Sequence, residues 1–145
     1  TKGEIIIRQI VLVSHGTMAE GMRRAAEMVF GSLPDVRHVC LSEDKGIAQF
    51  EAELSAVFEE LPGGEPVAVL CDVNGGSPYN TSLRLLEQMG RLETASVVSG
   101  MNLPLLLVLL MAEDSGRETV KAAIDGARDS IQMFEPRQED EDEEL

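Results

Sequence analysis

Short apolar runs alternate with segments of helical periodicity along the chain, and this alternation limits the possible folds more than any other feature. The first and third runs are apolar throughout, so the strands that they predict are buried on both faces. Helices between such strands favour a parallel sheet that is covered on each side. The four predicted strands are IVLVS (10–14), VRHVCL (36–41), VAVLCD (67–72) and TASVVSG (94–100).

Helices are predicted between and after the strands, where apolar residues recur at spacings of three and four. One helix begins at Ser77, its expected N-cap, with Pro78 next, and ends near Gly90. Another follows Asn102, also an expected N-cap, and its apolar sequence predicts a helix buried on all sides. The apolar run at 102–113 is far shorter than the roughly 20 residues that span a bilayer. The expected buried faces of the other helices are Met18, Met22, Ala25 and Val29; Ile47, Phe50, Leu54, Val57 and Leu61; and Val120, Ile124, Ala127 and Ile131.

The predicted element order, βαβαβαβαα, contains no internal repeat and fits a doubly wound, mainly parallel α/β open sheet. Right-handed crossovers and a flavodoxin-like arrangement give the strand order 2-1-3-4. Residues 131–134 (IQMF) are either the end of the last helix or a short fifth strand. In sheets of this kind, ligands bind beyond the carboxyl ends of the strands.

The length of 145 residues suits a single domain with a sizeable core, which we assign to residues 8–134. Residues 1–7 are interpreted as an N-terminal extension, and the acidic residues 135–145 as a disordered tail. The start of the sequence shows no signal-peptide pattern, which favours a cytoplasmic protein. The formal net charge of −14 argues against a nucleic-acid partner, because binding to phosphates relies on Lys and Arg.

The two cysteines, Cys40 and Cys71, fit no metal-ligand spacing and are interpreted as reduced core thiols. With the strand order 2-1-3, they end strands that lie about 9.6 Å apart, twice the spacing of neighbouring strands. That separation is too large for a disulfide, so we predict two free thiols. One of the two histidines, His38, lies within a predicted strand, and a structural role is favoured for it.

The other histidine, His15, follows the first predicted strand, and Asp72 ends the third. These strands are neighbours in the order 2-1-3-4 and lie about 4.8 Å apart, so the two side chains are expected to touch. A carboxylate that accepts the Nδ1 proton fixes the imidazole tautomer and leaves the Nε2 lone pair pointing outward. Periodicity alone favours this functional role no more strongly than that of a hydrogen-bonded surface histidine.

Glycines and helix starts beside this pair suit an anion such as a phosphoryl group. Gly16 allows close approach of the backbone at the start of the first helix, and Ser77 follows Gly75 and Gly76 at another helix N-terminus.

Other chemistries fit the sequence less well. The sequence lacks the G-x-S-x-G pattern of serine hydrolases, a P-loop, a dinucleotide-binding G-x-G-x-x-G after the first strand, and enough ligands at this edge for a metal.

Three sequence blocks resemble the mannose-type EIIA domains of the bacterial phosphoenolpyruvate:sugar phosphotransferase system. The first is an apolar strand that ends in His-Gly (IVLVSHGTMAEG, 10–21). The second is D-x-x-G-G-S-P-x-N (72–80), and the third is S-G-x-N-L-P (99–104). With matching spacing, the resemblance covers about residues 8–134.

The resemblance implies a phosphoryl carrier. His15 would accept a phosphoryl group on Nε2 from the phosphocarrier HPr and pass it to a histidine of an EIIB component, while Asp72 hydrogen-bonds the other ring nitrogen. No metal, nucleotide or other cofactor is expected, because transfer between two histidines needs mainly positioning and charge stabilisation. The residues expected around the phosphate are Gly16, Thr17, Gly76 and Ser77.

The resemblance also implies partners and an assembly. EIIB would pass the phosphoryl group on to sugar at an EIIC/EIID membrane permease, so the chain is expected in the cytoplasm, peripheral to that complex. Asn74 and Asn102 are expected in partner-facing loops, and the family often has an aromatic residue at position 74. A final antiparallel strand exchanged between two subunits would come from residues 131–134, which predicts a homodimer.

Alternative functions stay open from the sequence. A related branch donates phosphoryl groups to a dihydroxyacetone kinase, but it tends toward M-G-S-A in the second block, where this chain has GGSPYN (75–80). Phosphorylation of His15 could instead control binding to a regulator, or the site could bind an anion without forming phosphohistidine. The sequence does not identify a sugar, because specificity in such a system lies with the permease.

Overall fold

The computed structural model describes residues 8–137, which form a parallel sheet with helices on both faces. The strands are β1 (Ile10–His15), β2 (Val36–Leu41), β3 (Val67–Cys71) and β4 (Ala95–Val98); the helices are α1 (Met18–Phe30), α2 (Ile47–Glu60), α3 (Ser77–Gln88), α4 (Leu103–Leu110) and α5 (Arg117–Arg128), with a short 3-10 helix at Leu92–Thr94. All three strand pairings are parallel and the order is β2-β1-β3-β4, which confirms the predicted topology.

Strand β1 lies at the centre of the sheet, where Val13 pairs with Val39 of β2 and with Cys71 of β3. Every residue of β1 and β3 is buried except His15. His15 is the last residue of β1, not the residue after it as we expected from the sequence. The one exposed position of the central strand therefore lies at the carboxyl edge of the sheet.

Two hydrophobic cores lie on opposite faces of the sheet. Helices α1, α4 and α5 cover one core, which contains Leu12 and Leu70, and α2 and α3 cover the other, which contains Val13 and Cys71. Successive residues of β1 and β3 thus enter different cores, which explains why both strands are apolar throughout. Each fully buried large side chain, such as Phe50, contributes about 1.5–3 kcal/mol through its removal from water.

The buried face of α1 differs from the predicted one. Ala19, Met22 and Ala26 face the sheet, whereas Met18 is 42% exposed and Val29 is 63% exposed. Both sets of residues have helical spacing, so periodicity does not distinguish between them. The prediction that Met18 belongs to the core was wrong, because the face that packs on the sheet is the one that contains Ala19, Met22 and Ala26.

The other helices agree with their predicted faces only in part. In α2, Phe50 and Leu54 are buried, but Ile47 at its first position is exposed. In α5, Val120 and Ala127 are buried, whereas Ile131 lies beyond the end of the helix. Helix α4 was expected to be buried all round, but it packs on the sheet through one face. That face consists of Leu105, Leu106, Leu109 and Leu110, and Val108 on its other side is exposed.

Residues 131–137 form neither helix nor strand in the single chain. Ile131, Met133 and Phe134 are 78%, 78% and 86% exposed. Strand β4 pairs only with β3, so within residues 8–137 its outer edge has no partner strand. The predicted fifth strand is thus absent from the described monomer, and an exchanged strand stays a prediction because it requires a second copy.

The structure confirms both cysteines as free thiols. Burial, opposed in part by a hydrogen bond with Ser82, raises the pKa of the Cys71 thiol to about 12.

His38 lies in the middle of β2, opposite Leu12 of β1. Burial, together with the positive charge of Arg23, lowers the pKa of His38. The predicted extension at 1–7 and all but the first residues of the predicted acidic tail lie outside the described residues.

Candidate functional site

The carboxyl ends of β1 and β3 bring together the two residues on which the sequence argument depends. His15 ends β1, and Asp72 directly follows β3, whose last residue pairs with Val13. His15 Nδ1 lies 2.8 Å from Asp72 Oδ2. The contact that the strand order predicted is therefore present.

The Asp72 carboxylate is held by three contacts. Its Oδ2 atom accepts a hydrogen bond from the backbone N–H of His15 at 2.8 Å, besides its contact with the His15 ring. Its Oδ1 atom accepts a hydrogen bond from the backbone N–H of Val73 at 2.8 Å. The side chain of Asp72 is only 8% exposed, whereas that of His15 is 50% exposed. The carboxylate favours the tautomer with the proton on Nδ1, so the lone pair lies on Nε2 of a half-exposed ring.

Opposing effects act on the acidity of Asp72. Burial raises the pKa of its carboxyl group, but hydrogen bonds from the backbone and ring of His15, the charge that this ring carries when it is protonated, and the Val73 N–H together outweigh burial. The net result is a pKa below the usual value for aspartate. Asp72 therefore remains ionised at neutral pH and acts as a fixed hydrogen-bond acceptor.

The turn after β1 includes Gly16 and Thr17, which we expected to bind phosphate. Gly16 has a φ of +59°, which suits glycine, and its N–H donates to the carbonyl of Leu41 at 2.8 Å. That N–H is thus already used, so the role of Gly16 is to shape the turn. Thr17 is exposed at the N-cap position of α1, and its side chain makes no capping hydrogen bond.

Ser14 is a functional element of this turn that the sequence argument missed. It is fully buried, and its Oγ accepts a hydrogen bond from the N–H of Ala19 at 2.7 Å. The bond fastens the first turn of α1 to the end of β1, next to His15. A serine at the end of an otherwise apolar strand, just before a helix, was the signal that could have indicated this role.

The start of α3 lies against the imidazole of His15. A Cβ atom built at Gly76 would lie 2.9 Å from His15 Cε1 and 3.6 Å from Nε2. Gly76, with φ −80° and ψ 173°, is the N-cap, so the prediction that Ser77 fills this position was wrong. Ser77 is instead the exposed first residue of α3, followed by Pro78. N–H groups in the first turn of a helix lack intrahelical acceptors and carry partial positive charge, which suits a phosphoryl group on Nε2.

Hydrogen bonds fix the loops around the histidine. Asn74 Nδ2 donates to Ser99 Oγ at 3.1 Å, which ties the loop after β3 to the loop after β4. Asn80, which the sequence argument did not single out, donates from Nδ2 to the carbonyl of Gly75 at 2.9 Å. Asn102 Oδ1 accepts the N–H of Leu105 at 2.8 Å, which confirms it as the N-cap of α4. Asn74 remains exposed, while the carbonyl group of the Asn102 side chain is used within the fold.

The described part of the chain contains no group of three or more His, Cys, Asp or Glu side chains that could hold a metal ion. Within residues 8–137, every helix is too short or too polar to cross a bilayer. The charged side chain nearest the ring nitrogens of His15 that the structure describes is that of Asp72.

The fold and the site define a class of protein: an open parallel α/β domain with a carboxylate-oriented histidine at the carboxyl edge of its sheet. A family model described as "PTS system fructose IIA component" matches residues 9–127. The chain therefore belongs to the mannose-type EIIA family of the phosphotransferase system, a family of sugar-transport components, and the resemblance seen in the sequence is confirmed.

Individual relatives agree with this assignment. The chain is 28% identical over 131 residues to the mannose-specific EIIAB component of Escherichia coli (strain K12). This alignment covers 88% of the chain. It spans only 40% of the length of that relative. It is 30% identical over 100 residues to the sorbose-specific EIIA component of Lacticaseibacillus casei, covering 68% of this chain and 69% of that one.

A solved structure shows the same fold. The PTS IIA protein associated with the fucose utilization operon from Streptococcus pneumoniae superposes with a TM-score of 0.77 and 30% sequence identity. The match covers 89% of this chain and 94% of that chain. The described sheet and its helices are thus those of a PTS IIA protein.

Proposed function

We propose that the chain is a phosphoryl carrier of a bacterial sugar phosphotransferase system, with Nε2 of His15 as the acceptor atom. The observation that carries this proposal is the 2.8 Å contact between His15 Nδ1 and Asp72 Oδ2 on a half-exposed ring. An imidazole held this way presents an unprotonated nitrogen to an incoming phosphoryl group.

The transfer follows from the arrangement of protons on the ring. The Nε2 lone pair of His15 forms a bond to phosphorus while the bond between phosphorus and the donor's histidine nitrogen breaks, and that nitrogen keeps the bonding electron pair. The proton stays on Nδ1, where Asp72 balances the positive charge of the phosphorylated ring. The reverse exchange with an acceptor histidine regenerates the starting tautomer.

The start of α3 supplies electrostatic stabilisation for the phosphoryl oxygens. Its first turn lies beside the ring through Gly76, and its backbone dipole is positive at this end. The exposed hydroxyl groups of Ser77 and Thr17 lie at the starts of α3 and α1, where they would donate hydrogen bonds to the same oxygens. No metal, nucleotide or other cofactor takes part in this proposal.

The proposed donor is phosphorylated HPr, and the proposed acceptor is a histidine of an EIIB component that serves an EIIC/EIID permease. The printed name of the E. coli relative, an EIIAB component, supports EIIB as the acceptor. The chain would act in the cytoplasm, peripheral to the membrane complex. The sequence GGSPYN at 75–80 supports a sugar-permease branch over one that serves a dihydroxyacetone kinase.

We also propose that the chain forms a homodimer in which residues 131–134 of each copy pair with β4 of the other. A groove of about 360 Å³ lies along the unpaired edge of β4, between Val97, Val98 and the last turn of α5. Residues 131–134 follow that helix and are strongly exposed although three of them are apolar. An antiparallel strand from a second copy would cover both surfaces.

The experiment is intact-protein mass spectrometry after incubation with phosphoenolpyruvate, enzyme I and HPr. Wild type is expected to gain one acid-labile phosphoryl group, and His15→Ala is expected to gain none. His38→Ala is the matched control, because it removes the other histidine from the middle of β2. No gain of mass in wild type, with HPr shown to be phosphorylated, would overturn the proposal.

A second stage separates transport from regulation. Adding purified EIIB is expected to discharge the phosphorylated chain, with the phosphoryl group appearing on EIIB. If the group stays on His15 in the presence of EIIB components from mannose-type systems, a carrier role is excluded and a phosphorylation-dependent regulatory module takes its place.

A further inference from the structure

The backbone at Gly76 does not explain why this position is glycine. Its φ of −80° and ψ of 173° are extended values that any residue adopts. By contrast, Gly16, Gly75 and Gly100, which also lie in loops at this edge of the sheet, have φ values of +59°, +80° and +77°. Those three suit glycine because of their backbone conformation, so Gly76 requires a separate reason.

The His15 ring supplies that reason. A Cβ atom at Gly76 would lie 2.9 Å from His15 Cε1, a distance that real Cβ contacts essentially never show. At Gly75 and Gly100, a Cβ atom would meet nothing within 4 Å. Of Gly75, Gly76 and Gly100, only Gly76 is placed so that a Cβ atom would reach the ring.

The ring cannot move away from such a Cβ atom without losing its other contact. Its Nδ1 atom lies 2.8 Å from Asp72 Oδ2, and the same oxygen accepts the backbone N–H of His15 at 2.8 Å. Close approach of Gly76 on the Cε1 side confines the ring as well, and the two contacts together fix the direction in which Nε2 points.

We infer that Gly76 is a positioning residue whose bare Cα is the surface on which the His15 imidazole rests, so that any side chain at position 76 displaces the ring. The consequence for the transfer rate rests on the proposed function, but the consequence for the ring does not. Gly76 therefore has a role distinct from the phosphate contact that the sequence suggested for it.

The experiment compares three variants that share one backbone geometry. Gly76→Ala adds the Cβ atom beside the ring. Gly76→Ser adds the same atom together with a favoured N-cap hydroxyl group, so it offsets any loss of helix capping. Gly46→Ala is the matched control, because Gly46 is the N-cap of α2 with φ −70° and ψ 164°, and a Cβ atom there meets nothing within 4 Å.

The first measurement is the pair of ring ¹⁵N chemical shifts of His15, with the ring of His38 as internal reference. Wild type and Gly46→Ala are expected to show the single tautomer with the proton on Nδ1. Both Gly76 variants are expected to show shifts averaged between the two tautomers, because a displaced ring loses its bond to Asp72. Wild-type shifts for His15 in Gly76→Ala would overturn the inference.

The second measurement is the initial rate of phosphorylation by HPr. Both Gly76 variants are expected to be slower than Gly46→Ala by roughly tenfold to a hundredfold, since small displacements of a reacting atom have effects of this size. Recovery of the wild-type rate by Gly76→Ser would show that capping, not the ring contact, explains the glycine, and would also overturn the inference.

The two proposals fail in different ways. If wild type is not phosphorylated at all while the Gly76 variants still alter the His15 ¹⁵N shifts, the carrier function is wrong and the positioning role stands. If wild type is phosphorylated and Gly76→Ala matches it in both rate and shifts, the carrier function stands and the positioning role is wrong.

Discussion

Asp72 connects the backbone and the ring of His15 through one carboxylate oxygen. That the two residues meet could be predicted from the sequence, because neighbouring parallel strands end at the same edge of a sheet. The bond between the backbone N–H of His15 and Oδ2, and the contact between the ring and Gly76, could not be predicted. Both depend on the angles of two loops after the strands end, and no periodic pattern encodes those angles.

Removing the carboxylate is expected to slow transfer without unfolding the chain. Asp72→Ala removes the acceptor that holds the proton on Nδ1 of His15, so Nε2 is unprotonated for less of the time. The rate of phosphorylation by HPr should therefore fall by roughly a hundredfold or more. Asp125→Ala is the control, since it removes an 80%-exposed carboxylate on α5. A stopped time course read by mass spectrometry gives the rates, and circular dichroism checks the fold. An unchanged rate in Asp72→Ala would remove this carboxylate from the mechanism.

The lowered pKa of Asp72 also predicts a dependence of stability on pH. A carboxyl group whose pKa is lower in the folded state stabilises that state above its unfolded pKa of about 3.9, and the effect is lost as the pH falls through the folded value. The difference in free energy of unfolding between wild type and Asp72→Ala should therefore be constant near neutral pH and shrink as the pH falls through about 3.9 and below. Urea denaturation at several pH values measures it, and a difference independent of pH would contradict the assignment.

At the scale of elements, strands were easier to predict than helix faces and caps. Strands β1 and β3 are buried on both sides, so no choice between a buried and an exposed face was needed to predict them. For α1, two sets of residues have equally good helical spacing, and only packing against the sheet selects the set with Ala19, Met22 and Ala26. Of the two predicted N-caps, Asn102 is confirmed and Ser77 is not, because the extended backbone that defines a cap falls one residue earlier, at Gly76.

This contrast between the caps predicts a difference in stability. Asn102→Ala removes the acceptor of the Leu105 N–H and should lower the free energy of unfolding by about 1 kcal/mol. Ser77→Ala is the matched control, since Ser77 caps no helix and the change should stay within about 0.5 kcal/mol. Chemical denaturation of both variants provides the comparison. Equal losses in the two variants would contradict the capping assignment.

At the scale of the whole molecule, the order of the sheet follows from the sequence, but its outer boundary does not. Right-handed crossovers and buried strands determine the order β2-β1-β3-β4. Whether β4 is a true edge depends on a second copy, and a single sequence carries no pattern that reports one. The apolar segment at 131–134 has the composition of a strand, yet it has no partner strand within the described monomer.

The proposed exchange of strands predicts the mass of the particle in solution. Sedimentation equilibrium should give twice the chain mass of 15.7 kDa. The double variant Ile131→Asp, Phe134→Asp should shift the protein to monomer, because charges would enter the groove beside β4. Met28→Asp is the control, since Met28 is 90% exposed on α1. A monomeric wild type, or a double variant that stays dimeric, would contradict the exchange.

The shared oxygen of Asp72 also bears on how the proposed transfer is directed. Because the carboxylate is anchored by the backbone of His15 and of Val73 as well as by the ring, we expect it to keep its place whether the ring is free or phosphorylated. A carrier of this design would keep the same acceptor beside Nδ1 whether it meets its donor or its acceptor protein. The direction of transfer would then depend on the phosphorylated fraction of each partner. When sugar is scarce and most of the acceptor is phosphorylated, the same chain would return phosphoryl groups to its donor.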